Sequence, residues 1–188
     1  MLIAITGGIG SGKSEVLKII SGYARTLSAD EINAELFYNT SYINRLRAEF
    51  PEAYREGKID KKILSDIIFS DKKRRDSLNA LAHPLIFQNI EKRAKELGGD
   101  VFVEVPLLTE IGSKKMFDRV WLVVSDVNLK VERLKNTRKM TEKDIFSVMN
   151  AQCGDDERIK IADEIIRNNG KPEELRDTVI GLYRELHK

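Results

Sequence analysis

The residues with the most specific chemistry lie in the segment GGIGSGKS at positions 7–14, directly after the apolar run LIAIT at 2–6. Gly7, Gly12, Lys13 and Ser14 satisfy the spacing G-x-x-x-x-G-K-[ST]. Glycine loses more conformational freedom on folding than other residues, so four glycines within six positions indicate a loop that needs bare backbone. Such a loop surrounds phosphate oxygens with its N–H groups, and the following helix directs its positive end at the same anion.

Individual roles follow from this spacing. The ammonium of Lys13 is expected to reach the β- and γ-phosphates of a nucleotide, and the Ser14 hydroxyl is expected to ligate Mg²⁺. The alternative, a chance glycine-rich turn, is disfavoured because the segment follows a predicted strand and precedes the helix-forming stretch EVLKIISGYA at 15–24. The predicted nucleotide-binding residues of this segment are Gly8, Ile9, Gly10, Ser11, Gly12, Lys13, Ser14 and Glu15.

The elements that must position the loop are short apolar or β-branched runs separated by segments with helical periodicity. Strands that alternate with helices predict a parallel α/β sheet. The predicted strands are LIAIT at 2–6, ARTLS at 24–28, VFVEV at 101–105, RVWLVV at 119–124 and DEIIRN at 163–168.

Two longer segments interrupt this alternation. Residues 31–97 are too long for one crossover helix and are predicted to be almost wholly helical, with breaks at Pro51, Gly57 and Pro84. Residues 126–160 are predicted to form a strongly charged pair of helices, the second of them capped by Thr141.

Composition limits the classes of protein to consider. The 188 residues fit one domain, and 32 basic against 30 acidic residues predict no general surface for nucleic acid. The single Cys153 allows no intrachain disulfide framework and is interpreted as a structural thiol. Because no run approaches the roughly 18 apolar residues of a membrane span, a cytoplasmic protein without a membrane partner is expected.

The loop predicts nucleotide binding without choosing the reaction, because kinases, ATPases and GTPases share it. A GTPase needs a base-reading N-K-x-D stretch, which this sequence lacks. Three interpretations remain at this point: a small-molecule kinase, a kinase of a nucleoside or nucleotide, and a nucleotide-dependent switch without catalysis.

Seven segments in order resemble the dephospho-coenzyme A kinase family over nearly the whole chain. This resemblance implies a P-loop kinase fold in a single domain at 1–188, with a five-stranded parallel sheet flanked by helices, an acceptor-binding insertion at 31–97 and a lid at 126–160. It also implies Mg²⁺-dependent phosphorylation of the ribose 3′-hydroxyl of dephospho-CoA by ATP, in a monomer or weak homo-oligomer. The segments are ITGGIGSGKS (5–14), SADEI (28–32), GKIDKKIL (57–64), ALAHPLI (80–86), VPLLTE (105–110), the 133–152 stretch ending in NAQ, and ADEIIRNNG (162–170).

The resemblance assigns acceptor-side roles in two of these segments. It implies that Asp30 accepts or orients the proton of the attacking hydroxyl, whereas the residue alone equally fits a cap of the helix EINAEL at 31–36. It implies that His83 contacts the acceptor, whereas an interior hydrogen-bonded histidine beside a helix start at Pro84 fits the residues as well.

Further acceptor contacts are implied at four positions. Pro106, Leu107 and Leu108 resemble an apolar wall for the acceptor nucleoside, and Glu104 before them is an alternative carboxylate near the metal. Lys61 stands where the family commonly has arginine, which replaces a two-pronged guanidinium by a point charge.

The resemblance also implies roles for two lid arginines and for two residues that contact adenine. Arg133 and Arg138 are implied to stabilise charge on the transferring phosphoryl, although charged helices are more commonly solvated surfaces. The family places its second lid arginine where this chain has Thr137, one position before Arg138. Asn168 and Gly170 are implied to contact adenine, or else form an ordinary turn, and Glu15 replaces a common threonine.

Overall fold

The computed structural model describes all 188 residues, which form two compact units. The core unit comprises Met1–Ser28 and Leu97–Lys188, and the insertion unit comprises Ala29–Glu96. The insertion unit differs by only two residues at its start and one at its end from the predicted insertion at 31–97.

Seven strands and ten α-helices make up these units, with short 3₁₀ helices at Pro51–Ala53 and Lys114–Met116. In chain order the strands are β1 (Leu2–Thr6), β2 (Arg25–Ser28), β3 (Tyr54–Arg55), β4 (Lys58–Ile59), β5 (Val101–Glu104), β6 (Arg119–Val124) and β7 (Glu164–Arg167). The helices are α1 (Lys13–Ile20), α2 (Ala29–Leu36), α3 (Thr40–Glu49), α4 (Lys61–Ser70), α5 (Lys72–Leu97), α6 (Leu108–Ile111), α7 (Val127–Arg138), α8 (Glu142–Ala151), α9 (Asp155–Ile159) and α10 (Pro172–Glu185).

The core unit contains a five-stranded sheet in the order β2-β5-β1-β6-β7, and all of its strand pairs are parallel. This confirms the predicted sheet and its five strands. Ala4 of β1 pairs with Val103 on one side and Val120 on the other, so β1 lies at the centre. The loop that follows β1 therefore leaves the carboxyl edge of the sheet at its centre, where open α/β sheets bind ligands.

Apolar packing fixes this edge in place. One side of the sheet packs against α1 and α10, with Ile3, Phe102 and Trp121 fully buried. The rings of Phe102 and Trp121 meet edge to face, with centroids 4.9 Å apart. Large buried aromatic side chains dominate core energetics, so the strands that carry the loop form a rigid platform.

The insertion unit is less wholly helical than predicted. Between α3 and α4 it contains an antiparallel hairpin in which Tyr54 pairs with Ile59 and Arg55 with Lys58. The connecting residues Glu56 and Gly57 have φ angles of 48° and 84°, as a two-residue hairpin turn of this hand requires. Strands of two residues are too short to show an alternating pattern in the sequence.

The predicted break at Pro84 is wrong, because Pro84 lies inside α5, which runs for 26 residues. Proline removes one backbone donor from a helix, which leaves the carbonyl of Ala80 without its partner. Both residues are exposed, so water can reach that carbonyl, while Ile86 and Ile90 of the same helix are buried.

Neither α5 nor any other helix is both long enough and apolar enough to cross a membrane.

The predicted charged pair at 126–160 consists of α7 and α8, followed by a third, short helix, α9, that the sequence did not predict. The predicted cap is confirmed, since the Oγ1 of Thr141 accepts a hydrogen bond from the N–H of Asp144 at 3.2 Å.

Candidate nucleotide-binding site

Two glycines of the loop between β1 and α1 lie where no other residue fits. Gly7 and Gly12 have φ angles of 149° and 100°. A Cβ at Gly7 would stand 2.2 Å from the carbonyl oxygen of Val123, and one at Gly12 would stand 2.1 Å from Nδ2 of Asn168. Both glycines therefore allow the loop to pack closely against β6 and the segment after β7.

Lys13 begins α1, and its ammonium folds back over the loop. Its Nζ donates hydrogen bonds to the carbonyl oxygens of Gly7 at 3.0 Å and Gly8 at 3.1 Å. Because this ammonium is the group that reaches the β- and γ-phosphates in such loops, we expect the Gly7–Gly8 end of the loop to face the terminal phosphates.

Ser14 and Glu104 bring two oxygen ligands together. The hydroxyl of Ser14, one residue into α1, donates a hydrogen bond to Oε1 of Glu104 at 3.1 Å. Glu104 is the last residue of β5, the neighbour of β1 in the sheet. A hydroxyl and a carboxylate are the hard oxygen donors that Mg²⁺ prefers.

Asn168, predicted to contact adenine, is 7% exposed and supports the loop. Its Nδ2 donates to the carbonyl oxygen of Ser11 at 2.9 Å, and its own carbonyl accepts from the hydroxyl of Ser125 at 2.8 Å. The contact of Asn168 and Gly170 with adenine stays a prediction. Sequence reasoning missed Ser125, although a polar residue directly after a buried strand was a usable signal.

The two predicted lid arginines differ in their surroundings. Arg133 donates through Nη1 to the hydroxyl of Ser125 at 3.0 Å and through Nη2 to the carbonyl oxygen of Asn168 at 2.9 Å. Arg138 is exposed and ends α7, directly before Lys139, whose φ is 53°. Arg133 thus joins the network that supports the loop, while Arg138 is at the turn between two helices.

Three further residues lie at the loop without having been predicted to do so. Oε1 of Gln152 accepts a hydrogen bond from the N–H of Ile9 at 3.0 Å. Lys130 and Arg158 are buried and lie beside Gly8. Sequence reasoning missed both cations because charges on a charged helix look like a solvated surface.

Nearby, Cys153 donates its N–H to Oε1 of Glu110 at 3.1 Å. Burial first, and then the hydrogen bond to Glu110, raises the pKa of the Cys153 thiol above its ordinary value. The thiol therefore stays protonated near neutral pH, as a structural cysteine does.

In the insertion unit, Asp30 is exposed in the first turn of α2. Because α2 already begins at Ala29, Asp30 lies within the helix, so the alternative in which it caps a helix at 31–36 is wrong. His83 is half-buried, with its ring centroid 6.4 Å from that of Phe87. Burial lowers the pKa of His83 below its ordinary value, so the imidazole is neutral at pH 7.

The remaining predicted acceptor residues are spread over both units. Lys61 begins α4, and its Nζ lies 4.5 Å from the ring centroid of Phe37. Pro106 follows β5 in the core unit; Leu107 is 40% exposed, whereas Leu108 is fully buried. Leu107 therefore presents apolar surface to solvent, and its contact with the acceptor stays a prediction, whereas the side chain of Leu108 belongs to the core.

Glu15 is exposed in the first turn of α1. An acidic side chain at this end of a helix interacts favourably with the helix dipole. This position stabilises the helix that carries Lys13 and Ser14.

A parallel sheet whose central strand runs through a glycine loop into a helix beginning Lys-Ser defines a P-loop nucleotide-binding protein of the small-molecule kinase type. The sequence matches the family dephospho-CoA kinase over residues 1–174, and the chain belongs to that family. A dephospho-CoA kinase from Thermobifida fusca is 35% identical over 193 residues, covering 99% of this chain and 96% of that protein.

Solved structures agree in fold. A crystal structure from Thermus thermophilus has a TM-score of 0.88 at 30% identity, covering 99% of this chain and 97% of that chain. Dephospho-CoA kinase from Campylobacter jejuni has a TM-score of 0.71 at 25% identity, covering 98% of this chain and 96% of that one. These similarities extend over both units.

Proposed function

We propose that this protein transfers the γ-phosphoryl group of ATP to the ribose 3′-hydroxyl of dephospho-CoA, giving CoA and ADP in the last step of coenzyme A synthesis. The observation that carries the proposal is the assembled phosphate loop, in which the Lys13 ammonium lies over the carbonyls of Gly7 and Gly8. Membership of the dephospho-CoA kinase family supplies the acceptor.

On the nucleotide side, the loop N–H groups and Lys13 hold the phosphates, and α1 directs its positive end at them. The hydroxyl of Ser14 and the carboxylate of Glu104, which hydrogen-bond at 3.1 Å, suit Mg²⁺. When bound, this ion neutralises charge on the β- and γ-phosphates.

On the acceptor side, the exposed carboxylate of Asp30 orients the 3′-hydroxyl and accepts its proton as the oxygen attacks the γ-phosphorus. A neutral His83 offers one donor and one acceptor to dephospho-CoA without adding charge. Leu107, with 40% of its surface exposed, contacts the apolar face of the acceptor. The ammonium of Lys61 binds the phosphates of dephospho-CoA.

Charge that develops on the transferring phosphoryl needs a cation that arrives with closure of the lid. The exposed Arg138 at the end of α7 suits this role, because its side chain is on the surface. Arg133 already donates to Ser125 and to Asn168, and these bonds keep the loop in place.

The test is an acceptor panel in which ADP release is followed with Mg²⁺ and ATP. Dephospho-CoA, nucleosides, nucleoside monophosphates and water are compared as acceptors. The proposal expects dephospho-CoA to give a kcat/KM at least 100-fold above every other acceptor. A preference for a nucleoside or a nucleoside monophosphate would show that dephospho-CoA is not the acceptor. ATP binding without any acceptor-dependent turnover would indicate a nucleotide-dependent switch.

A further inference from the structure

Two buried cations lie against the phosphate loop and have no part in the mechanism above. Lys130 of α7 is 6% exposed and Arg158 of α9 is 3% exposed. Both bind Asp155, Lys130 through Nζ and Oδ2 at 3.1 Å and Arg158 through Nη1 and Oδ1 at 2.9 Å. Lysine and arginine are almost never this buried unless they are paired, and here one carboxylate, that of Asp155, pairs with both cations.

The cations face Gly8 of the loop. A Cβ at Gly8 would stand 3.3 Å from Nη1 of Arg158, 3.7 Å from Oε1 of Gln152 and 3.8 Å from Nζ of Lys130. These are the three nearest heavy atoms, so both cationic nitrogens are nearer to this point than any carboxylate oxygen. The side of the cluster that meets the loop is therefore positive, and glycine at position 8 lets it approach the backbone.

This contact is at the end of the loop that we expect to face the terminal phosphates. Lys13, the residue that reaches the β- and γ-phosphates, donates to the carbonyl oxygen of Gly8 at 3.1 Å. The next N–H along the chain, that of Ile9, is held by Oε1 of Gln152 at 3.0 Å. The peptide between Gly8 and Ile9 is thus fixed on one side by Gln152, and the nearest charged atoms beside it are the cationic nitrogens of Arg158 and Lys130, whose partner Asp155 lies farther away.

The cluster is not a fully satisfied structural ion pair. Burial raises the pKa of Asp155, but hydrogen bonds and charge from Lys130 and then Arg158 outweigh it, so that the pKa lies below its ordinary value and the carboxylate stays ionised. Arg158 also binds Glu110 at 3.4 Å, yet its Nε is buried without a hydrogen-bond partner. Buried donors without partners are rare, and they are retained where function needs the group.

We propose that Lys130 and Arg158 are positioning residues that favour nucleoside triphosphate over diphosphate, by placing positive charge behind the Gly8–Ile9 peptide where the γ-phosphate binds. The proposal rests on the proposed function only in taking ATP as the donor. Buried charges are screened much less by salt than exposed ones, so the preference should persist at high ionic strength. The two cations act through the loop and are not required to touch the nucleotide.

The test compares the affinities of Mg²⁺·ADP and of Mg²⁺ with a non-hydrolysable ATP analogue, measured by titration calorimetry without acceptor. Lys130→Met removes the ammonium, replaces the lysine with an unbranched side chain of similar length, and leaves Asp155 paired with Arg158. It should weaken binding of the ATP analogue about tenfold while changing ADP binding less than about threefold, because a charge near one phosphate acts mainly on that phosphate. Lys130→Arg should restore the preference.

Lys135→Met is the matched control, because Lys135 is an exposed lysine on the same helix, paired with Glu142. It should leave both affinities unchanged. Arg158→Gln provides a second measurement at the same site and should reduce the preference for the triphosphate at least as much as Lys130→Met.

Each outcome decides the matter. An unchanged ratio of ATP-analogue to ADP affinity in Lys130→Met overturns the proposal, and so does an equal loss for both nucleotides, which would make the cluster a structural support. Because no acceptor is present, failure of the wild-type protein to make CoA would count against the proposed function and leave this inference standing.

Discussion

The phosphate loop of the core unit and the candidate acceptor residues of the insertion unit differ in how they are held. Around the loop, Lys13 hydrogen-bonds to the loop carbonyls, Ser14 to Glu104 of β5, and Asn168 to the carbonyl oxygen of Ser11. In the insertion unit, Asp30 is exposed and His83 contacts a phenyl ring. The difference indicates that the phosphate loop is held in place before any ligand binds, as electrostatic catalysis requires, while the predicted acceptor residues have fewer polar contacts within the protein.

The comparison predicts its largest effect at Lys13. Lys13→Ala removes a preorganised cation from the phosphates, so kcat/KM should fall by about 10³-fold, the upper range for loss of one such group. CoA formation and thermal unfolding are the two measurements. Lys18→Ala, an exposed lysine later in α1, is the control and should keep full activity. Transfer near the wild-type rate in Lys13→Ala would contradict the assignment of the loop.

A smaller effect is expected at Asp30 on the other side of the comparison. Asp30→Asn should lower kcat by about 100-fold, the usual scale for a lost acid–base group, with the Kd for ATP unchanged. Because the carboxylate is exposed, Tm should stay within the error of the measurement. Asp66→Asn, in an exposed position of α4, is the matched control. Unchanged turnover in Asp30→Asn would return Asp30 to a surface role.

Arg133 and Arg138 lie on the same helix, α7, and are expected to have different effects when replaced. Arg138→Ala should lower kcat about 10- to 100-fold with little effect on ATP binding, because the interaction forms in the transition state. Arg133→Ala removes hydrogen bonds to Ser125 and Asn168 and should destabilise the protein by about 2 kcal/mol, since a bond from a charged donor contributes roughly that much. Steady-state kinetics and thermal unfolding separate the two effects. Full turnover in Arg138→Ala together with loss in Arg133→Ala would reverse the assignment.

The smallest expected effect concerns pH and His83. Burial lowers the pKa of His83 in the folded state below its ordinary value of 6.5. The unfolded chain then binds the proton more readily than the folded protein. The contribution of neutral His83 to the free energy of unfolding is therefore fully present above pH 6.5 and is lost as the pH falls towards the folded pKa. The free energy of unfolding of His83→Gln should therefore fall less than that of the wild type between pH 7 and pH 5. If the free energy of unfolding changed equally with pH in the two proteins, the half-buried imidazole of His83 would have no effect on stability in this range.

Much of the core unit could be predicted, because its local signals agree with one another. The buried parallel strands β5 and β6 are marked by the apolar runs VFV and VWLVV, and the glycine spacing identifies the loop. The hairpin at 54–59 and the continuation of α5 through Pro84 could not be predicted, because two-residue strands show no periodicity and packing of Ile86 and Ile90 outweighs one lost hydrogen bond.

The contacts among site residues were the least predictable part. Asn168 lies 157 positions from Ser11 along the chain, yet its amide fixes the loop. Gln152 reaches Ile9 across 143 positions. The resemblance predicted roles for single residues, whereas only the fold shows that Asn168 and Arg133 support the loop together. The predicted roles of Asp30, His83, Lys61, Leu107 and Arg138 stay predictions.

The most direct test of the central claim identifies the product of one reaction. The protein is incubated with Mg²⁺, dephospho-CoA and ATP labelled with ¹⁸O in its γ-phosphoryl group, and the product is analysed by mass spectrometry and phosphorus NMR. The account predicts CoA that carries the labelled phosphoryl on its ribose 3′-oxygen, with an equal amount of ADP. Labelled phosphate released to water, or a labelled phosphoryl at any other position, would contradict it.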